Sequence, residues 1–165
     1  MKIRLSLLTL ILLPFLAFSQ NKSPDSLQNA LKIAKTDSAR YMICKILVRY
    51  YTEKNWDSAL YYAEKSVSIA ETNNHSLDVA SALDGKGYIL MHLGKVGESL
   101  RCFLKAIPLA ENAANENKTW KRYANFTPRK TRLDILSNLH HDFGHLMGRT
   151  GDICLLYTSP SPRDS

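Results

Sequence analysis

From residue 24 to residue 151, apolar and polar positions alternate with the 3.6-residue period of amphipathic helices rather than the two-residue period of strands. The first stretch is short. Ser23 can cap it, Pro24 suits a first helical position, and Leu27, Leu31 and Ala34 share one face, which predicts a leading helix over Asp25–Lys35. Longer stretches follow in pairs, joined by short turns at Lys54-Asn55 and Gly94-Lys95. In the second helix of the first pair, Ala59, Ala63, Val67 and Ala70 fall at i, i+4, i+8 and i+11. That is one helix face, and its small residues allow a neighbouring helix to approach closely.

The two pairs are copies of one unit. With Ala59 placed over Ser99, Ile43 lies over Leu83, Leu47 over Gly87, Tyr50 over Leu90, Lys54 over Gly94, Ala63 over Phe103 and Val67 over Ile107, a shift of 40 residues. Self-similarity at such a period marks stacked helical repeats. The units are bounded at 40–75 and 76–116, behind the leading segment 20–39. Pro108 removes a backbone donor and biases Ile107 away from helix, so the second helix of unit two is expected to end or kink there. A third unit begins at 134–153, with Gly144 over Gly87, Gly151 over Gly94 and Phe143 in the large apolar position before the glycine. Its shift of 57 exceeds the period by 17, and the basic stretch 117–133 supplies the extra residues as a linker or insertion.

These units resemble the tetratricopeptide repeat (TPR) in its longer variety of about 40 residues. The resemblance is carried by Gly87, Gly94, Phe103 and Ala106 in unit two, and by Tyr50 and "NWDSAL" (Asn55–Leu60) in unit one. Leu47 and Lys54 stand where the family favours Gly, and Ser99 where it favours Ala. The resemblance implies an all-α helix-pair solenoid, truncated in its third repeat, whose first helices line a concave groove. Carried over position by position, the groove residues are Tyr41, Cys44 and Tyr51 in unit one, Asp84, Tyr88 and His92 in unit two, and His141, His145 and Arg149 in unit three. The set of Lys and Asn with which some family members clamp a terminal carboxylate is absent, Cys44 and Val48 occupying two of its places. The implied partner is a protein or peptide held in the groove.

Both ends of the chain read differently. "MKIRLSLLTLILLPFLAFSQ" has basic Lys2 and Arg4, an apolar run of 14 residues from Leu5 to Phe18, and small residues Ala17 and Ser19, the organisation of a secretory signal peptide over 1–19. The run is short of the ~20 residues a membrane span needs. An exported, periplasmic protein is expected, with any membrane contact made through a segment further along the chain. Residues 154–164, "CLLYTSPSPRD", are similar to the translation of a transposase sequencing adapter, so 154–165 is expected to be a non-native tail. The order of signal, "DSLQNALKIAKTDSAR" and long repeats resembles the front of repeat-containing sensor histidine kinases and regulators of Bacteroidetes-type bacteria. The expected role is a non-enzymatic protein-interaction or sensory input module; the alternative is the sensor part of a kinase or transcriptional regulator with its output domain elsewhere. The half-unit is expected to fray, and removal of 117–165 to change the melting temperature little.

Composition alters this picture only at a few places. The formal charge is +7, or +5 once Lys2 and Arg4 leave with the signal. Lys118, Lys121, Arg122, Arg129, Lys130 and Arg132 fall in one acid-free stretch with Trp120, Tyr123 and Phe126 between them, a composition that also suits nucleic acid. Export favours a solvated linker and no nucleic-acid partner. Cys44 and Cys102 lie at apolar helix positions, where free Cys acts as a small hydrophobe. His141 and His145 share a helix face as two zinc ligands would, but no third ligand accompanies them. "HHDFGH" is similar to the phosphoacceptor motif of histidine kinases, with His141 as acceptor, yet it fits the repeat register as well. "NFT" at Asn125 is a glycosylation sequon by pattern. No phosphate loop, nucleophile elbow or dinucleotide fingerprint occurs, so no catalytic residue, metal or cofactor is expected.

Overall fold

The computed structural model describes residues 23–120 and 127–151. The expected signal peptide, the sequon and the C-terminal tail lie outside these residues. Among the described residues are six α-helices: α1 (Pro24–Ile33), α2 (Asp37–Thr52), α3 (Trp56–Thr72), α4 (Ser76–His92), α5 (Val96–Glu111) and α6 (Pro128–Thr150), with a 3-10 turn at Ala113–Asn115. Each helix packs antiparallel to the next, so α2–α3 and α4–α5 are the two helix pairs and α6 opens a third. The all-α solenoid expected from the repeat is the observed architecture.

Local chemistry sets the helix starts. The side chains of Ser23, Thr36, Asn55 and Thr127 each accept a hydrogen bond from a first-turn backbone N–H, satisfying a donor that has no partner within the helix. Pro24 and Pro128 occupy the first helical position, where a missing N–H costs nothing. Gly94 and Gly151 adopt φ of +74° and +78°, the left-handed conformation that ends a helix. Their equivalence supports the register that places Gly151 over Gly94.

Between the helices of each pair, bulk and smallness are complementary. A Cβ added to Gly87 would lie 2.9 Å from the tip of the Phe103 ring, so α4 leaves out a side chain where α5 inserts one. In unit one the assignment is reversed: Leu47 on α2 and Ala63 on α3 are both buried in one cluster with Cys44 and Ala59. The departure at Ser99 also has a physical account, since its hydroxyl donates to the Gly87 carbonyl at 2.7 Å and stays fully buried. On the α3 stripe, Ala59, Ala63, Val67 and Ala70 are all buried.

Three expectations are corrected. Helix α5 runs through Pro108 to Glu111 rather than ending there. The proline is exposed, and so is Leu104, whose carbonyl loses the bond, so water can satisfy it. Where it is described, the stretch after α5 keeps Lys118, Arg129 and Lys130 exposed but is tied to the fold at other residues. The Leu77 N–H donates to the Lys118 carbonyl, and the Thr119 hydroxyl and Trp120 N–H donate to the two carboxylate oxygens of Asp78, which is 1% exposed. Arg132 pairs with Glu116 at 3.0 Å and donates to the Ala110 and Glu111 carbonyls at the end of α5. Finally, the half-unit packs onto the stack. Helix α6 has 23 residues, starts six residues before the expected Asp134, and buries Ile135, Leu139, Leu146 and Met147 in the same core as Phe103. The Phe143 and Phe103 rings meet edge-on at 6.0 Å. A helix of that length carries its own apolar stripe and needs no following helix to bury it.

Two outcomes follow from this packing. Gly87→Leu and Phe103→Ala are each expected to destabilise, by about 1–3 and about 3–5 kcal/mol from overpacking and cavity formation respectively. The double variant, which recreates the Leu–Ala arrangement of unit one, is expected to recover part of that loss in urea denaturation; additive losses would refute the compensation. Deletion of α6 from Pro128 onward should lower the melting temperature by roughly 10 °C or more, because it uncovers Phe103 and its neighbours. An unchanged melting temperature would mean that α6 is dispensable.

Candidate functional site

The first helices of the three units, α2, α4 and α6, lie side by side and wall a cavity of about 500 Å³. Helix α2 contributes Met42, Lys45, Ile46 and Arg49, helix α4 contributes Ser81 and Asp84, and helix α6 contributes Asn138. Met42 and Ile46 are 45% and 40% exposed, which is unusual for large apolar side chains in a packed helix and leaves apolar surface beside the charges. Lys45 crosses to α4, donating to the Ser81 carbonyl at 2.9 Å and to its hydroxyl oxygen at 3.2 Å.

Asp84 is the most unusual group of this face. Its Oδ1 is buried and has no hydrogen-bond partner among the described residues. Burial, and then the negative charge of Asp142 on α6, push the carboxyl up from 3.8 to about 7, while Lys45 acts in the opposite direction. Burial also raises Asp142, against the pull of His141, His145 and His92. Across the α4–α6 contact the Asp142 charge thus disfavours ionisation of Asp84.

Further along the same face, the His92 ring stacks on Trp56 with centroids 4.6 Å apart and planes 6° from parallel, and it meets Tyr88 at 4.5 Å. Burial and then Arg149 hold the His92 pKa below its usual value, Asp142 opposing and His145 adding to the effect. His141 and His145 are exposed, with rings 4.5 Å apart on α6 as their spacing implied, and Arg149 is exposed beyond them. Among the described residues no group of three or more His, Cys, Asp or Glu is placed to hold a metal ion.

The residues expected in the groove divide by unit. Asp84, Tyr88, His92, His141, His145 and Arg149 come together as one cluster of ring contacts and electrostatic interactions between α4 and α6. Of the unit-one residues, Tyr41 lines the cavity, whereas Cys44 and Tyr51 do not. Cys44 is fully buried, and burial raises its thiol to about 11, so it is an inert spacer. Tyr51 stacks on Tyr62 at 5.6 Å and accepts a hydrogen bond from Gln28 of α1. Tyr41 is 2% exposed and donates to the Asp78 carbonyl at 3.1 Å. Leu27 and Leu31 of α1 pack into the cluster that holds Cys44 and Tyr51, so the leading helix covers these two residues. Lys45, Ser81 and Asn138 were missed. Ser81 and Asn138 occupy the same register position in units two and three, which the alignment of Gly87 with Gly144 could have shown.

Residues 19–123 match the family described as the SusR N-terminal TPR domain. Comparison with curated proteins and with solved structures finds no match.

Stability should depend on pH through Asp84. A carboxyl whose folded pKa is raised stabilises the fold most at low pH, and that contribution is lost as pH climbs from about 4 to about 7. Asp84→Asn is expected to flatten this dependence and to raise the melting temperature at about pH 8 by roughly 5 °C. Parallel pH–stability curves for the two proteins would show that Asp84 is not the group responsible.

Proposed function

Because the chain belongs to the family of SusR N-terminal TPR domains, we propose that it is the input module of a longer envelope protein and that it binds an extended protein segment along the face of α2, α4 and α6. TPR domains are protein-interaction modules and are generally non-catalytic, which agrees with the lack of a catalytic motif in the sequence. The observation that carries the reading is the open cavity of about 500 Å³, in which exposed Met42 and Ile46 stand beside Lys45, Arg49 and Asp84. Apolar anchoring surface with a few fixed polar groups is what peptide grooves offer. A periplasmic location is supported by the signal-like residues 1–19, and no helix among the described residues is long and apolar enough to cross a membrane.

The description of the matched family as an N-terminal domain favours a second element of the reading, namely that this module reports to an output domain, a kinase or a DNA-binding regulator. Occupancy of the groove would then bias how α6 packs on α4, since both helices line the site.

A display selection of short random peptides on the immobilised full chain tests the groove. Peptides recovered this way should lose about tenfold or more in affinity for Ile46→Glu, with the helical circular dichroism unchanged. Binders that are indifferent to Ile46→Glu would place the interaction elsewhere.

A further inference from the structure

We infer that the face between α2, α4 and α6 takes a carboxylate-rich segment of its partner, and that it holds this segment more tightly in mild acid than in mild alkali. The inference rests on the groove reading above and adds the chemistry of the occupant. It starts from the distribution of charge. Lys45 and Arg49 stand one helical turn apart on the α2 wall of the cavity. At the other end, Arg149 is close enough to His92 to disfavour its protonation, and the paired rings of His141 and His145 lie between. Against these cations the cluster sets two acids, Asp84 and Asp142.

The two acids do not neutralise the face. Asp142 disfavours the charge of Asp84 across the α4–α6 contact, and the Asp84 Oδ1 is buried without a donor among the described residues. An uncompensated buried carboxylate takes up a proton rather than keeping its charge. Near neutrality the face therefore carries fixed cations from α2 and α6 and one partly silenced acid, Asp84. That potential is complementary to an anionic segment.

Acidification moves every group on this face in the same direction. Asp84 loses its negative charge as pH falls through about 7, with Lys45 of α2 and Asp142 of α6 as the charged groups acting on it. His92 gains its proton at lower pH than usual because of burial and Arg149, with Asp142 favouring the charged form and His145 opposing it. Asp142 is raised by burial, and His141, His145 and His92 act on it in the opposite direction. On the other side of α4, Lys86 is paired with Glu64 of α3 at 3.0 Å and lines a separate cleft with Glu98 and Arg101 of α5. That cleft offers no compensating acid to the groove.

The probe is a fluorescent hexaglutamate peptide, with hexalysine beside it, titrated into the full chain at about 0.15 M salt so that surface charge is screened beyond about 8 Å. Hexaglutamate is expected to bind about tenfold more tightly at about pH 6 than at about pH 8, with hexalysine showing no such gain. Asp84→Asn should bring the pH 8 affinity close to the pH 6 value. Arg49→Gln with Arg149→Gln should weaken binding about tenfold, whereas Lys65→Gln with Arg101→Gln, which removes the same charge from α3 and α5, should not. Equal losses in the two double variants would mean that net charge alone attracts the peptide, and would overturn the inference. Failure of hexaglutamate to bind, a preference for hexalysine, or a flat pH profile would overturn it as well. If display-selected peptides remain sensitive to Ile46→Glu while hexaglutamate fails, the groove reading stands and only the anionic occupant is lost. If the selected peptides ignore Ile46→Glu, both fall.

Discussion

The groove has its third wall because one buried carboxylate holds the chain that leads to it. Asp78, in the first turn of α4, receives the Thr119 hydroxyl and the Trp120 N–H, and His75 approaches the same carboxylate at 3.2 Å. Its carbonyl receives the Tyr41 hydroxyl from α2. A buried carboxylate is tolerated only when its oxygens are satisfied in this way. The bonds therefore fix where the chain after α5 passes: across the start of α4, with Trp120 against the Tyr41 and His75 rings. From there α6 lies against both α4 and α5 rather than extending the stack at a distance.

The α6 side of the candidate site depends on that placement. Asn138 reaches the cavity, and Asp142 reaches Asp84, only because α6 lies beside α4. Burial and then the Asp142 charge place the protonation of Asp84 near neutrality. One buried acid thus organises the scaffold through satisfied hydrogen bonds. Another, 6 residues further along the same helix, is left unsatisfied and titrates. Donors from elsewhere in the chain reach the Asp78 carboxylate, and none reaches the Asp84 Oδ1 among the described residues.

Within the helix pairs, the repeat is kept by volume rather than by identity. Gly87 and Phe103 in unit two exchange roles with Leu47 and Ala63 in unit one, so each interface keeps one large and one small partner. A position-by-position comparison reads Leu47 as a departure from the pattern. The packing reads it as the same solution with the partners reversed.

The sequence by itself determined the all-α character of the chain and the pairing of its helices. These rest on local causes: apolar period, capping residues and glycines at left-handed turns, all of which act within a few residues. It also placed six of the nine groove residues on the face where α4 and α6 meet, because units two and three obey the register of internal repeats. Only the tertiary structure decided the rest. That Cys44 and Tyr51 are covered depends on α1 folding back over α2. That the basic stretch is anchored depends on a carboxylate 41 residues away from Thr119. That Asp84 carries a raised pKa depends on its burial and then on Asp142, which lies on a different helix. Contacts between residues distant along the chain set burial and charge, and no local pattern encodes them.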